Sequence, residues 1–103
     1  MGWPLGQCDA FEIKEEEIVP GCSERLHKHE AVSQSYYILS GQAQDTINES
    51  VVSLGSADCV IIAAGSAHMI ANQSDMPLRL LAVSAPPVGS DRINIDKYEQ
   101  GNG

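Results

Sequence analysis

"GCSERLHKHEAVSQSYYILSG", Gly21 to Gly41, carries two of the chain's three histidines, His27 and His29, on alternate positions. In an extended strand, residues two apart face the same way. His27 and His29 therefore project from one face, with Lys28 on the other, and their rings can converge on one ion. If the chain turns over Glu30–Ser33 and returns as a second strand, Gln34 comes up beside them. Gln34, Tyr36 and Ile38 then point inward, and Ser35, Tyr37 and Leu39 outward. The third histidine, His68, follows a glycine turn and opens a later strand. Three imidazoles and one oxygen donor form a borderline-soft set. It suits Zn, Fe, Ni, Cu, Co or Mn rather than Ca or Mg.

The rest of the chain reads as short apolar runs separated by turn residues. Strands are expected over Phe11–Val19, Arg25–His29, Ser35–Ser40, Gln42–Ile47, Val51–Leu54, Cys59–Ala63, Ala67–Asn72 and Leu78–Ser84. Turn residues at Pro20-Gly21, Asn48–Ser50, Leu54–Asp58, Ala64–Ser66 and Gln73–Pro77 punctuate them. No stretch has sustained helical periodicity, and only Asp91–Gln100 has room for a helical turn or two. Many short strands at near-regular spacing give an all-β barrel or sandwich. Residues 1–10, rich in Gly and Pro, are expected to wander as an N-terminal arm. Residues 11–90 form the barrel and 91–103 a polar tail.

At 103 residues the chain makes one domain with a modest core. Fourteen acids against six bases leave a formal charge of −8. Phosphate binding needs clustered Lys and Arg, so nucleic acid is an unsuitable partner. The one charge run, Glu15–Glu17, reads as a solvated strand end. Three cysteines, without a CxxC pair, argue against a disulfide framework and for a reduced, intracellular setting. Cys59 reads as a small buried hydrophobe. No apolar run is long enough to cross a membrane and no signal peptide is evident, so a cytoplasmic location is expected.

The spacing of these residues resembles the cupin superfamily. From Gly21, five residues lead to His27, one separates His29, four lead to Gln34 and six lead to Gly41. This is similar to the first cupin motif, G-x5-HxH-x3–4-E-x6-G. From Ala57, five residues lead to Ala63, one to Gly65, two to His68 and three to Asn72. This is similar to the second motif, G-x5-PxG-x2-H-x3-N. The resemblance covers Gly21–Asn72 and implies a single antiparallel cupin barrel, the double-stranded β-helix or jelly roll. It also implies one divalent transition metal ion on His27, His29, Gln34 and His68.

The departures are informative. Ala57 and Ala63 replace a Gly and a Pro, and Ala is expected to fit ordinary backbone angles there. Gln34 stands where the family has Glu. A neutral ligand leaves a divalent ion at full charge, which favours an anionic ligand at some cost in metal affinity. The alternative is that three histidines and water hold the ion, with Gln34 only hydrogen-bonding nearby.

Tyr36 is a candidate catalytic acid–base or donor group, or else an aromatic plug of the barrel. Arg25 shares parity with the histidines and could take a substrate carboxylate, or lie on the surface. Glu30 reads as a partner of a ligand histidine or as solvated. Asp91 and Arg92 could fold over the opening. Outward apolar residues, including Tyr37, Leu39 and Ile62, point to a homodimer. The resemblance implies an enzyme acting on a small anionic, carboxylate-bearing metabolite, by metal-assisted isomerisation, ketonisation or oxygenation. The alternative is a non-catalytic, metal-dependent small-molecule binding or sensing protein.

Overall fold

The computed structural model describes residues 2–95. Among these, ten strands form two five-stranded sheets. In chain order they are β1 (Gly2–Gln7), β2 (Glu12–Ile18), β3 (His27–His29), β4 (Ser33–Ser40) and β5 (Ala43–Ile47). There follow β6 (Ser50–Leu54), β7 (Cys59–Ile62), β8 (His68–Ala71), β9 (Leu78–Ala85) and β10 (Arg92–Asn94). One sheet has the order β1-β2-β9-β4-β7 and the other β10-β3-β8-β5-β6. Every strand pairing is antiparallel. The fold is the expected all-β cupin barrel. Among the described residues no helix is long and apolar enough to cross a membrane.

The core lies between the sheets and follows the period-2 pattern. β9 sets Leu78, Leu80, Ala82 and Ser84 inward, all buried. β4 answers with Gln34, Tyr36 and Ile38, β8 with His68 and Ile70. On both β9 and β4 the inward row turns from aliphatic to polar along its length. That change of chemistry within one row places a polar site at one end of an apolar barrel.

Four expectations are corrected. Residues 2–7 do not wander: they pair with β2 as an edge strand, the position in a sheet where a proline such as Pro4 is tolerated. The strand shifts register between Pro4 and Gly6, and Trp3 stacks under the Arg79 guanidinium at 5.4 Å. Second, β7 has the opposite parity. Ile62 is buried opposite Gln34, and Ile61 points outward at 74% exposure. The run Cys59–Ile62 is apolar throughout, so its pattern could not fix which face is inner. By the same parity Cys59 is exposed, with Sγ 3.1 Å from Ser35 Oγ. Third, Arg92–Asn94 is a strand on the open edge of β3 rather than a helical turn; residues 96–100 lie outside the described residues.

Fourth, Ala57 is not in an ordinary conformation. Its φ is +71°, in the left-handed region that favours glycine. The turn is held nonetheless, with Ala57 N–H donating to Ile38 O at 2.8 Å and Asp58 N–H to Gly55 O at 2.9 Å. Gly41 is the strictest glycine. At φ +93° an added Cβ would lie 2.5 Å from Pro77 O.

Candidate metal centre

The paired histidines stand on β3 as their spacing requires, both buried, with Lys28 between them turned out and ion-paired to Glu30 at 3.3 Å. β3 lies beside β8, and His27 is the cross-strand partner of His68. Residues 41 positions apart in numbering are thus set side by side on one face. Ring centroids are 4.2 Å apart for His27–His68, 5.2 Å for His27–His29 and 6.1 Å for His29–His68. One donor atom from each ring lies within 4.8 Å of the other two. Among the described residues no carboxylate or thiolate joins this cluster.

The hydrogen bonds indicate which atoms are free. His27 Nδ1 donates to Arg25 O at 2.7 Å, which leaves its Nε2 without a proton. His29 Nδ1 and both ring nitrogens of His68 are buried with no partner. Burial holds His27 down to about 4 and His68 to about 3, and lowers His29. The neighbouring imidazoles and Arg92 lower His68 further. All three rings are therefore neutral near pH 7, the form that ligates metal. A buried polar atom without a partner is costly. Several of them, converging on one point, fit a divalent transition ion.

Gln34 also reaches the site. It is buried, and its Nε2 donates to Ser84 Oγ at 2.9 Å, its register partner on β9. That bond turns Oε1 the other way, where it has no partner. Gln34, His27 and His29 line one cavity of about 260 Å³. Tyr36 lines it too, buried, with its ring 5.9 Å from that of His68 and its hydroxyl 3.4 Å from Glu24 Oε1. Burial and the nearby carboxyls push the Tyr36 phenol well above its usual value, so it is a neutral donor.

Arg25 is not brought to the cavity. It precedes β3 and is exposed, and its carbonyl accepts from His27 Nδ1. Arg92 stands at the cavity instead, opposite His29 on β10. Asp91 accepts the amides of Glu30 and Ala31 at 3.2 and 2.9 Å, fastening the β3–β4 turn. These amides hold the Asp91 carboxyl below its usual value. Glu30 is exposed and faces solvent rather than a histidine.

Sequence reasoning missed the acidic wall. The inward face of β2 presents Glu12, Lys14 and Glu16 to the cavity, and Glu24 adds to them. Glu16, read as part of a solvated run, hydrogen-bonds Glu24, whose carboxyl is raised to about 8 by burial and by Glu16. Alternation along Glu12–Glu17 held the signal, but not which parity faced in. Asp45 was missed as well. It is fully buried, both oxygens lack a partner, and burial raises it to about 7.

The sequence profile of the Cupin domain family matches residues 14–84, which include every residue of the cluster. The chain belongs to this family. Its relatives include an uncharacterized protein, MJ1618, of Methanocaldococcus jannaschii, 33% identical over 78% of this chain and 65% of that one. An oxalate-binding protein of Thermotoga maritima is 36% identical over 65% of this chain and 55% of that one. The cupin chain thus spans less than two thirds of these curated relatives' lengths. The crystal structure of TT1209 from Thermus thermophilus superposes with a TM-score of 0.80 at 28% identity, covering 84% of this chain and 83% of that one.

Proposed function

We propose that His27, His29, His68 and Gln34 hold one divalent transition metal ion (Fe, Mn, Ni, Zn, Co or Cu). We further propose that the cavity beside it takes a small anionic, carboxylate-bearing metabolite, on which the protein acts as an isomerase, lyase or oxygenase. The observation that carries this reading is the cluster of His27, His29 and His68, one donor atom of each within 4.8 Å of the others, with His29 Nδ1, the His68 nitrogens and Gln34 Oε1 buried and unpartnered. When bound, such an ion supplies Lewis acidity toward a ligand oxygen. The relative named for oxalate binding is in keeping with a small dianion.

The chain's own groups set what else the ligand must carry. Arg92 offers a guanidinium at the mouth, suited to a carboxylate. Glu12 and Glu16 face the same space and accept hydrogen bonds. A ligand with one acidic end and hydroxyl groups along its length satisfies both sets, so a hydroxy acid is the preferred class. Tyr36 and Glu24, in contact at 3.4 Å, hold protons at neutral pH and are the candidates to pass one to or from the ligand.

Protein purified without chelator is expected to hold one ion per chain, lost in H27A and H68A. Equal, sub-stoichiometric metal in all three would overturn the site. Proton exchange of a bound hydroxy acid in heavy water then separates an enzyme from a carrier, which binds without exchange.

A further inference from the structure

Two buried groups in one layer of the barrel have complementary deficits. His68 has two ring nitrogens and neither has a partner. A metal ion uses one. The other then carries the ring's proton and needs an acceptor. Asp45 has two acceptor oxygens, neither partnered, and is fully buried. The two residues sit on adjacent strands. In the β5–β8 ladder Asp45 pairs with Ile70 and Ile47 pairs with His68. Asp45 and His68 are therefore diagonal neighbours on one inward face. Diagonal spacing on an antiparallel pair is about 7–8 Å. An aspartate and a histidine side chain together span it with one hydrogen bond of about 2.8 Å.

Asp45 lies outside the cluster of donors that could meet one ion. Its direct strand partners, Val52 and Ile70, are hydrocarbon and offer its carboxyl nothing. Glu24 and Tyr36 are near enough to feel its charge, but Tyr36 already directs its hydroxyl to Glu24. An apolar residue would serve the core better at this position, because a buried, unpartnered carboxyl costs stability. His27 shows the same arrangement completed, with its outer nitrogen anchored on Arg25 O.

We propose that Asp45 is a positioning residue for the metal centre: it accepts the outer ring N–H of His68 and fixes that ring's tautomer and direction for metal binding. The inference rests on the metal reading above, and adds to it a residue outside the ligand set. Outer partners of this kind change metal affinity by about 10–100-fold.

The test compares wild type, D45N, D45V and H68A with zinc alone as the probe. Asn keeps one acceptor oxygen and Val keeps none. Zinc affinity is expected to fall in the order wild type, D45N, D45V, with D45V weaker by about 10-fold or more. Metal-free D45N and D45V should melt no lower than wild type, since each removes an unpaired buried carboxyl. Nitrogen-15 spectra of the zinc-loaded protein should show a His68 ring proton at low field that moves upfield in D45N and vanishes into exchange in D45V. Wild-type zinc affinity retained in D45V, with an unmoved His68 proton, overturns the role of Asp45 and leaves the metal site standing. Zinc binding no tighter in wild type than in H68A overturns both.

Discussion

Gln34→Glu restores the carboxylate of the family motif and tests whether residue 34 meets the ion. The exchange is isosteric. Ser84 Oγ, now accepting from Nε2 at 2.9 Å, can rotate and donate to a carboxylate, so that contact survives. What changes is charge in a site only 9% exposed. Asp45, inside the same barrel, shows what burial does there, with its carboxyl raised to about 7. A glutamate held to the same value, against about 4.3 in the unfolded chain, costs about 3 kcal/mol at pH 7. For a domain of this size the melting temperature of metal-free Q34E should fall by about 15 °C. If the side-chain oxygen of residue 34 meets the ion, the bound ion recovers that cost. Zinc should then bind Q34E more tightly, by up to about 100-fold, and saturating zinc should close the gap in melting temperature. Calorimetric melts with chelator and with graded zinc, beside zinc titrations, measure both. An equal depression of Q34E with and without zinc, at unchanged affinity, would refute the ligand role. Three histidines and water would then hold the ion.

Further expectations concern backbone, protons and assembly. Ala57, at φ +71°, should be improved by glycine: A57G is expected to gain about 0.5–1 kcal/mol in urea unfolding. G41A, which drives a Cβ to 2.5 Å from Pro77 O at φ +93°, should lose about 2–4 kcal/mol or more; equal effects of the two would contradict these turn assignments. Glu24 and Asp45 keep their protons to about 8 and 7 in the fold, against 4.5 and 3.8 unfolded. Each adds stability present below its unfolded value and lost as pH rises through its folded one. His27 and His68, lowered to about 4 and 3, act oppositely up to 6.5. Metal-free protein should therefore lose about 1.4 kcal/mol per pH unit for each retained proton above pH 6.5, and E24Q should flatten the fall toward pH 8; an unchanged slope in E24Q would show that Glu24 holds no such proton. Tyr37, Leu39 and Ile61, exposed at 41, 39 and 74% on one sheet, are suited to a second copy. Sedimentation should give about twice 11.0 kDa, and I61K the single value; a wild-type monomer would dismiss the dimer.

Where two residues shared a strand of clear alternation, the sequence was enough to orient them. His27 and His29, and Gln34, Tyr36 and Ile38, all face as their spacing predicted. Gly41 and Gly65, at φ +93° and +87°, also stand where the motif needs left-handed turns. Continuous runs gave no such guide. Ile61 and Ile62 exchanged faces, and Glu16 left the solvated run for the cavity, because either parity of "CVII" or "KEEE" is locally acceptable. Only pairing with a neighbouring strand decides it, and pairing is a non-local fact. Arg92 in place of Arg25 has the same origin. Arg25 has the right parity, but its strand begins only at His27, whereas β10 arrives from 63 residues beyond His29 to set Arg92 at the mouth. A period is legible along a chain; a register between distant segments is not.

The acidic wall alters what Gln34 means for function. Read from the ligand set alone, a neutral fourth ligand leaves a divalent ion its full charge and predicts a cavity hungry for anions. The structure sets the carboxyl groups of Glu12 and Glu16 along the cavity, with Glu24 retaining its proton, and Lys14 and Arg92 stand beside them. A carboxylate in direct contact would donate into the ion and blunt its Lewis acidity. Carboxylates further along the cavity do not, yet they still temper the field felt by a ligand's far end. Removing the charge from position 34 and placing it on β2 therefore separates two properties that one glutamate would couple, the ion's polarising strength and the net charge the ligand must carry. A simple dianion uses only the first. A hydroxy acid uses both, with its carboxylate toward the ion and Arg92 and its hydroxyls toward Glu12 and Glu16. E16Q should accordingly weaken a hydroxy acid while sparing oxalate, and equal losses for the two ligands in titrations of metal-loaded protein would remove the wall from recognition.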